Sequence, residues 1–123
     1  MATVLTDVGE AETTLALLTD GTNIYIGWGT GAGTADKTDT TLFTESGDET
    51  RTSGTPTQQT TTSTNDTYQV LGSMTCITTP KTITNAGVLD AVTVGNLYMK
   101  GDFTGILLQV NDSIQFTMKV QYT

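Results

Sequence analysis

Apolar and polar residues alternate most regularly near the end of the chain. Ile114, Phe116, Met118, Val120 and Tyr122 share one parity, and Gln115, Thr117, Lys119 and Gln121 share the other. A period of two puts successive side chains on opposite faces of a strand, so residues 113–122 are expected to form a strand with one buried face. The turn residues Val110-Asn111-Asp112-Ser113 lead into it, which predicts that 106–110 pairs with it as a hairpin. Residues 67–77 alternate in the same way, with Tyr68, Val70, Gly72, Met74 and Cys76 on one face and Gln69, Leu71, Ser73 and Thr75 on the other. The second row contains Leu71, so both faces are expected to be partly covered. Further strands are predicted at 81–88 and 97–103, joined by turns through Leu89-Asp90-Ala91 and Val94-Gly95-Asn96. The run Asn23-Ile24-Tyr25-Ile26-Gly27-Trp28 is β-branched and aromatic and predicts another.

A helical period occurs once, between residues 3 and 18. Asp7 and Glu10 have capping-box spacing, and Ala11, Leu15 and Leu18 recur at helical intervals. Thr19-Asp20-Gly21-Thr22 then supplies a turn in which Gly21 is free to take a positive φ. Residues 29–39 form a loop of Gly, Thr and Ala that ends in the apolar anchor Leu42-Phe43. Residues 44–66 are polar, and within them 51–65 is dense in Thr, Ser and Gln, a composition that buries little surface. They are expected to form a long exposed excursion, ordered where a neighbouring subunit covers it. Trp28, Phe43, Ile114, Phe116 and Met118 are the expected core.

Composition narrows the fold to one class. A chain of 123 residues suits a single domain with one core. Its 30 threonines and 13 glycines favour strands and turns over helices, so an all-β sandwich or barrel is expected. The net charge of −8 repels a phosphate backbone, which argues against nucleic acid as a partner. No basic amphipathic stretch or bilayer-length apolar run suggests a membrane, and no signal peptide is expected, which implies synthesis in a cytoplasm.

Candidate chemistry is sparse. The chain has no histidine to accept a nucleophile's proton, and its single cysteine, Cys76, cannot form an internal disulfide. These residues do not make up a zinc or transition-metal ligand set, and no cofactor is expected. The stretch Gly27-Trp28-Gly29-Thr30-Gly31-Ala32-Gly33 has the glycine density of a phosphate loop, but Lys37-Thr38 follows Asp36, whose charge repels phosphate. Paired carboxylates for glycoside hydrolysis would have to come from acids in polar loops such as 45–49, where solvated charge is the simpler role. Asp20, Asp66 and Asp112 have oxygen-rich neighbours of the kind calcium uses, without EF-hand spacing. The chain is therefore expected not to be an enzyme.

Longer patterns bring in a family. Leu5-Thr6-Asp7-Val8-Gly9 is followed by Ile26-Gly27-Trp28-Gly29-Thr30-Gly31, by Thr38-Asp39-Thr40-Thr41-Leu42, and by Glu45 and Arg51. Downstream come Ile83-Thr84-Asn85-Ala86-Gly87-Val88-Leu89-Asp90, Gly95-Asn96-Leu97 and Asp112-Ser113-Ile114-Gln115-Phe116-Thr117. In order and spacing, over nearly the whole chain, this resembles small tailed-phage virion proteins assigned to capsid decoration (cement) or fibre roles. The resemblance implies a jelly-roll-like β-sandwich with one short N-terminal helix and long polar loops. It also implies a place on the outer capsid surface of the virion, bound to the major capsid protein, often as a homotrimer. The alternative it carries is a head or tail fibre or collar component with a carbohydrate- or receptor-binding role. The chain lacks a long repetitive shaft, which favours decoration.

Two segments are the expected contact surfaces. The start of the chain, with Ala2, Thr3, Val4 and Leu5, is apolar and precedes the helix, so an arm over 1–6 is the candidate capsid contact. The polar excursion, with Arg51, Thr52, Thr55, Pro56 and Thr57, is the candidate contact between copies of the chain.

Overall fold

The structure, a computed structural model, describes residues 1–123. Helix α1 (Asp7–Asp20) is followed by seven strands, β1 (Tyr25–Gly29), β2 (Thr52–Ser53), β3 (Thr55–Gln59), β4 (Thr67–Thr75), β5 (Lys81–Leu89), β6 (Leu97–Leu108) and β7 (Ser113–Gln121). One sheet has the order β2-β1-β5-β6 and the other β3-β4-β7, all neighbours antiparallel. This is the all-β sandwich with one N-terminal helix that the alternation and turn spacing predict. No helix is long and apolar enough to cross a membrane.

The core lies between the sheets and follows the parity of the strands. Tyr68, Val70, Met74 and Cys76 on one face of the β4 run meet Ile26 and Trp28 of β1, Ile83, Ala86 and Val88 of β5, and Phe116 of β7. Trp28 packs edge-on against Phe116, with ring centroids 6.3 Å apart. Ile114 and Met118 are half-buried at the margin of this cluster. Phe43 lies elsewhere. The buried Asn85 accepts a hydrogen bond from the Phe43 N–H through Oδ1 and donates to the Phe43 carbonyl through Nδ2, both at 3.0 Å. The Phe43 ring then lies under Lys100 Nζ, 3.1 Å from its centroid. The expected core residue thus helps to cover the outer face of the first sheet, with the glycine-rich loop folded back over it through Gly31 N–H to the Phe43 carbonyl.

Several expectations change in instructive ways. The helix is capped by Thr6, whose Oγ1 accepts the Gly9 N–H at 3.1 Å, so the Asp7/Glu10 spacing is one residue out of phase with the cap. Its inward face centres on Glu10, Thr14 and Leu17, with Ala11 and Leu18 half-buried; Leu15, expected inward with them, is exposed. Thr14 Oγ1 donates to the Asn65 carbonyl at 2.6 Å and accepts from Gln58 Nε2 at 2.9 Å, so polar bonds as well as apolar burial seat this helix. Gly21 does take the left-handed conformation, φ 67°, and its N–H closes the helix onto the Leu17 carbonyl.

The expected hairpin of 106–110 with 113–122 does not form. β7 pairs with β4 over nine residues, from Thr67↔Gln121 to Thr75↔Ser113, while β6 pairs with β5 in the other sheet. The turn between them is an arch from one sheet to the other. Asp112 Oδ2 accepts the Gln109 N–H, and the arch docks on the end of β4 through Asn111 N–H to Cys76 O and Cys76 N–H to Asp112 O. The turn residues set the reversal; the docking set the partner. β6 is also longer than expected and carries a bulge, because Ile83↔Ile106 is followed by Asn85↔Asp102.

Candidate interaction surfaces

The arm is the part of the chain with the fewest internal partners. Residues 1–8 are all exposed, Val4 by 83% and Val8 by 72%, and no backbone hydrogen bond joins 1–5 to the rest of the fold. Leu5 is the exception within it. A Cβ on Gly9 would come within 2.9 Å of Leu5 Cδ1, so Leu5 leans over the first turn of α1 and fixes where the arm leaves the helix. Ala2, Thr3 and Val4 project beyond that point.

Residues 44–66, expected as an exposed excursion, are largely woven into the sandwich. Thr52 pairs with Ile26, and Thr55, Pro56 and Thr57 pair with Leu71, Val70 and Gln69. Between β2 and β3 the chain switches sheets at Gly54, where a Cβ would meet Val70 Cγ1 at 2.5 Å. Arg51 is the largest departure from the expected contact set, since its side chain is only 8% exposed. It forms a two-pronged ion pair with Glu45 at 2.7 and 2.8 Å, and its third nitrogen donates to the Ala91 and Val94 carbonyls at 2.8 and 2.7 Å. Val94 is β-branched at φ 56°, a strained conformation, and Arg51 holds the turn that contains it. This arginine serves the fold and is not free for a neighbouring copy.

The same segment carries two buried carboxylates. Glu49 accepts hydrogen bonds from Trp28 Nε1 at 2.8 Å, Ser46 Oγ at 2.7 Å and the Ile77 N–H at 3.0 Å, and it pairs with Lys81. Burial pushes its carboxyl up, but these four donors outweigh burial and hold it down at about 2. Asp66 accepts the N–H groups of Thr61, Thr62 and Ser63, the Thr67 hydroxyl and the Gln121 amide. Burial opposes its charge, and the backbone donors again prevail, so its carboxyl stays well below the usual range. A general acid needs a raised value, which neither group has.

A cation would find little at the three aspartates proposed for calcium. Asp66 is surrounded by donors, Asp112 Oδ2 binds the Gln109 N–H and Asp20 pairs with Thr22. Asp66 precedes β4 and Asp112 docks beyond its far end, so they do not converge. No aromatic ring is fully exposed: Trp28, Tyr68 and Phe116 are buried and the other five are half-buried.

Apolar surface also lies away from the arm. Ile77, Ile106, Leu107 and Val110 are exposed at the end of the sandwich where the arch docks, with Leu107 64% exposed. The arm lies at the opposite end, because α1 bonds to Asn65 and Gln58 next to the start of β4. A cleft of about 260 Å³ opens between β6 and β7, lined by Ala86, Phe103, Ile106, Phe116 and Met118 among others. Family models, curated proteins and solved structures show no match to this chain.

Proposed function

We propose that the chain is a virion structural protein that binds the outer surface of a capsid, on the major capsid protein, and stabilises the shell by adhesion. The observation that carries this is the arm. It is mostly apolar, outside any helix or strand and unpaired, and it projects from a helix whose start is fixed by the Thr6 cap and by Leu5 on Gly9. Such a segment offers its whole backbone to a partner by strand addition and needs no pocket on either side. The body of the protein behind it has its buried side-chain polar atoms satisfied internally, which suits a part whose work is to hold position. Many copies on a lattice multiply a modest single-site affinity, and binding to the assembled shell stabilises it by mass action. The acid-rich surface suits an outward-facing place, away from packaged nucleic acid.

The test is occupancy on undecorated capsids. The full chain is expected to saturate them, and a variant lacking residues 2–5 is expected to bind far more weakly. Equal saturation by both at the same concentrations would refute attachment through the arm. Failure of the full chain to bind any undecorated capsid, together with binding of glycans on an array, would replace decoration with the fibre reading.

A further inference from the structure

We infer that the open side of the sandwich, between β6 and β7, is a contact surface for further copies of this chain. Each strand is the last of its sheet, so each presents an unpaired backbone edge. The two edges flank the same opening: the Phe103 and Phe116 rings are 6.2 Å apart across it, and the Tyr98 and Tyr122 hydroxyls are hydrogen-bonded to each other. The cleft between them is mostly apolar, and the exposed Ile106 and Leu107 continue it towards the arch. Apolar surface beside free strand edges is what a soluble monomer avoids.

Strand direction decides how a second copy fits. β6 and β7 follow one another through a short arch and run in opposite directions. Rotation about an axis parallel to the strands preserves those directions, so it lays β6 of one copy antiparallel beside β7 of the next. Both sheets are then extended by ordinary antiparallel pairing, and the clefts face the axis as a shared apolar core. The bulge in β6 confines regular pairing to its first half, before Phe103.

Charge supports a copy of this chain as the occupant. The net charge of −8 opposes association, so any contact between copies needs local complementarity. The β6 edge carries Asp102, exposed, on the outer face beside Asn85; its Oδ1 accepts the Ala35 N–H at 2.7 Å, and its Oδ2 is left for a neighbour. The β7 edge carries Lys119, exposed and without an ion pair, also on an outer face, opposite Gln69. The same rotation brings Asp102 of one copy towards Lys119 of the next, on one face of the joined sheet. A contact in which one lip supplies the acid and the other the base is self-complementary. It does not depend on capsid binding.

Sedimentation equilibrium of the purified full chain, with no capsid present, tests this. A closed oligomer of discrete mass is expected. Lys119→Glu should weaken it by about fivefold or more, as for one exposed ion pair at each contact, and adding Asp102→Lys should recover the loss. Ile106→Asp should abolish it by placing a charge in the cleft. Thermal midpoints of each variant check the fold; if Ile106→Asp unfolds, the charge-swap pair decides alone. A monomer at every concentration overturns the inference. So does an oligomer indifferent to the charge swap, or one that is lost only when residues 2–5 are deleted, since the arm would then be the contact.

Discussion

Residues 1–6 and residues 44–66 both lie outside the regular alternation that marks the strands, yet the fold treats them in opposite ways. The first is apolar and remains unpaired; the second is polar and is held by both sheets. Burial capacity does not separate them. The difference is the supply of charged and amide side chains that can close onto backbone groups within the same molecule. Asp66 makes three such bonds, Arg51 two and Glu49 one, and the last two add side-chain partners, whereas Ala2, Thr3 and Val4 make none. A polar stretch is loose only when its polar groups have water as their sole partner.

Breaking the best-connected point of the polar segment should have the largest effect. Glu49→Ala leaves the Trp28 and Ile77 N–H groups without an acceptor in a buried site, and leaves Lys81 with only Asp48 and the Ile77 carbonyl, so it is expected to cost about 3–5 kcal/mol. Trp28→Ala should cost a similar amount, about 3–5 kcal/mol, because it opens a cavity and removes a Glu49 donor. Phe116 borders the cleft, so its truncation should fall at the low end, about 3 kcal/mol. Chemical denaturation of the three variants checks the order. A near-wild-type midpoint for Glu49→Ala would show that the segment is not anchored through this carboxylate.

Acid probes the same anchor without mutation. Glu49 has a folded-state value of about 2, below its ordinary 4.5, so its stabilisation is complete above about pH 5 and is lost as pH falls through 2. Asp66, also depressed, acts in the same direction. Stability should therefore fall between pH 5 and 2. In Glu49→Gln the fall should be shallower, which thermal melts across that range will show.

Arg51→Ala should have a smaller effect, about 2 kcal/mol, because Glu45 is partly solvated and can rehydrate while the Ala91 and Val94 carbonyls lose their donor. Arg51→Lys should recover only part of it, since an ammonium cannot make both the two-pronged pair and the two carbonyl bonds. Faster hydrogen exchange confined to residues 90–96 is the expected signature.

Strand faces were legible in the sequence because a period of two is a local property. Parity alone placed Tyr68, Val70, Met74 and Phe116 inward. Partners were not legible. The hairpin expected at 106–122 had the right turn residues, but Asn111 and Asp112 bond to Cys76, a residue remote in sequence, and that carried β7 to β4. The internal bonds of Arg51 were not legible for the same reason, because its carbonyl partners lie some forty residues away. The open side between β6 and β7 left no local trace at all; it follows from a strand order of four against three.

The arm offers the smallest effect on folding and the sharpest contrast. Deleting residues 2–5 removes no backbone hydrogen bond of the fold, and the Thr6 cap on Gly9 remains. What is lost is the contact of Leu5 over Gly9, and Leu5 is already 47% exposed, so the expected cost is at most about 0.5 kcal/mol. Denaturation midpoints of the full and shortened chains should then nearly coincide, while a comparable deletion inside 55–59 should remove the β3 pairing with β4 and unfold the protein. A large loss of stability on removing 2–5 would mean that the arm is held by its own molecule, and the contrast between the two segments would fail at the end where it looks clearest.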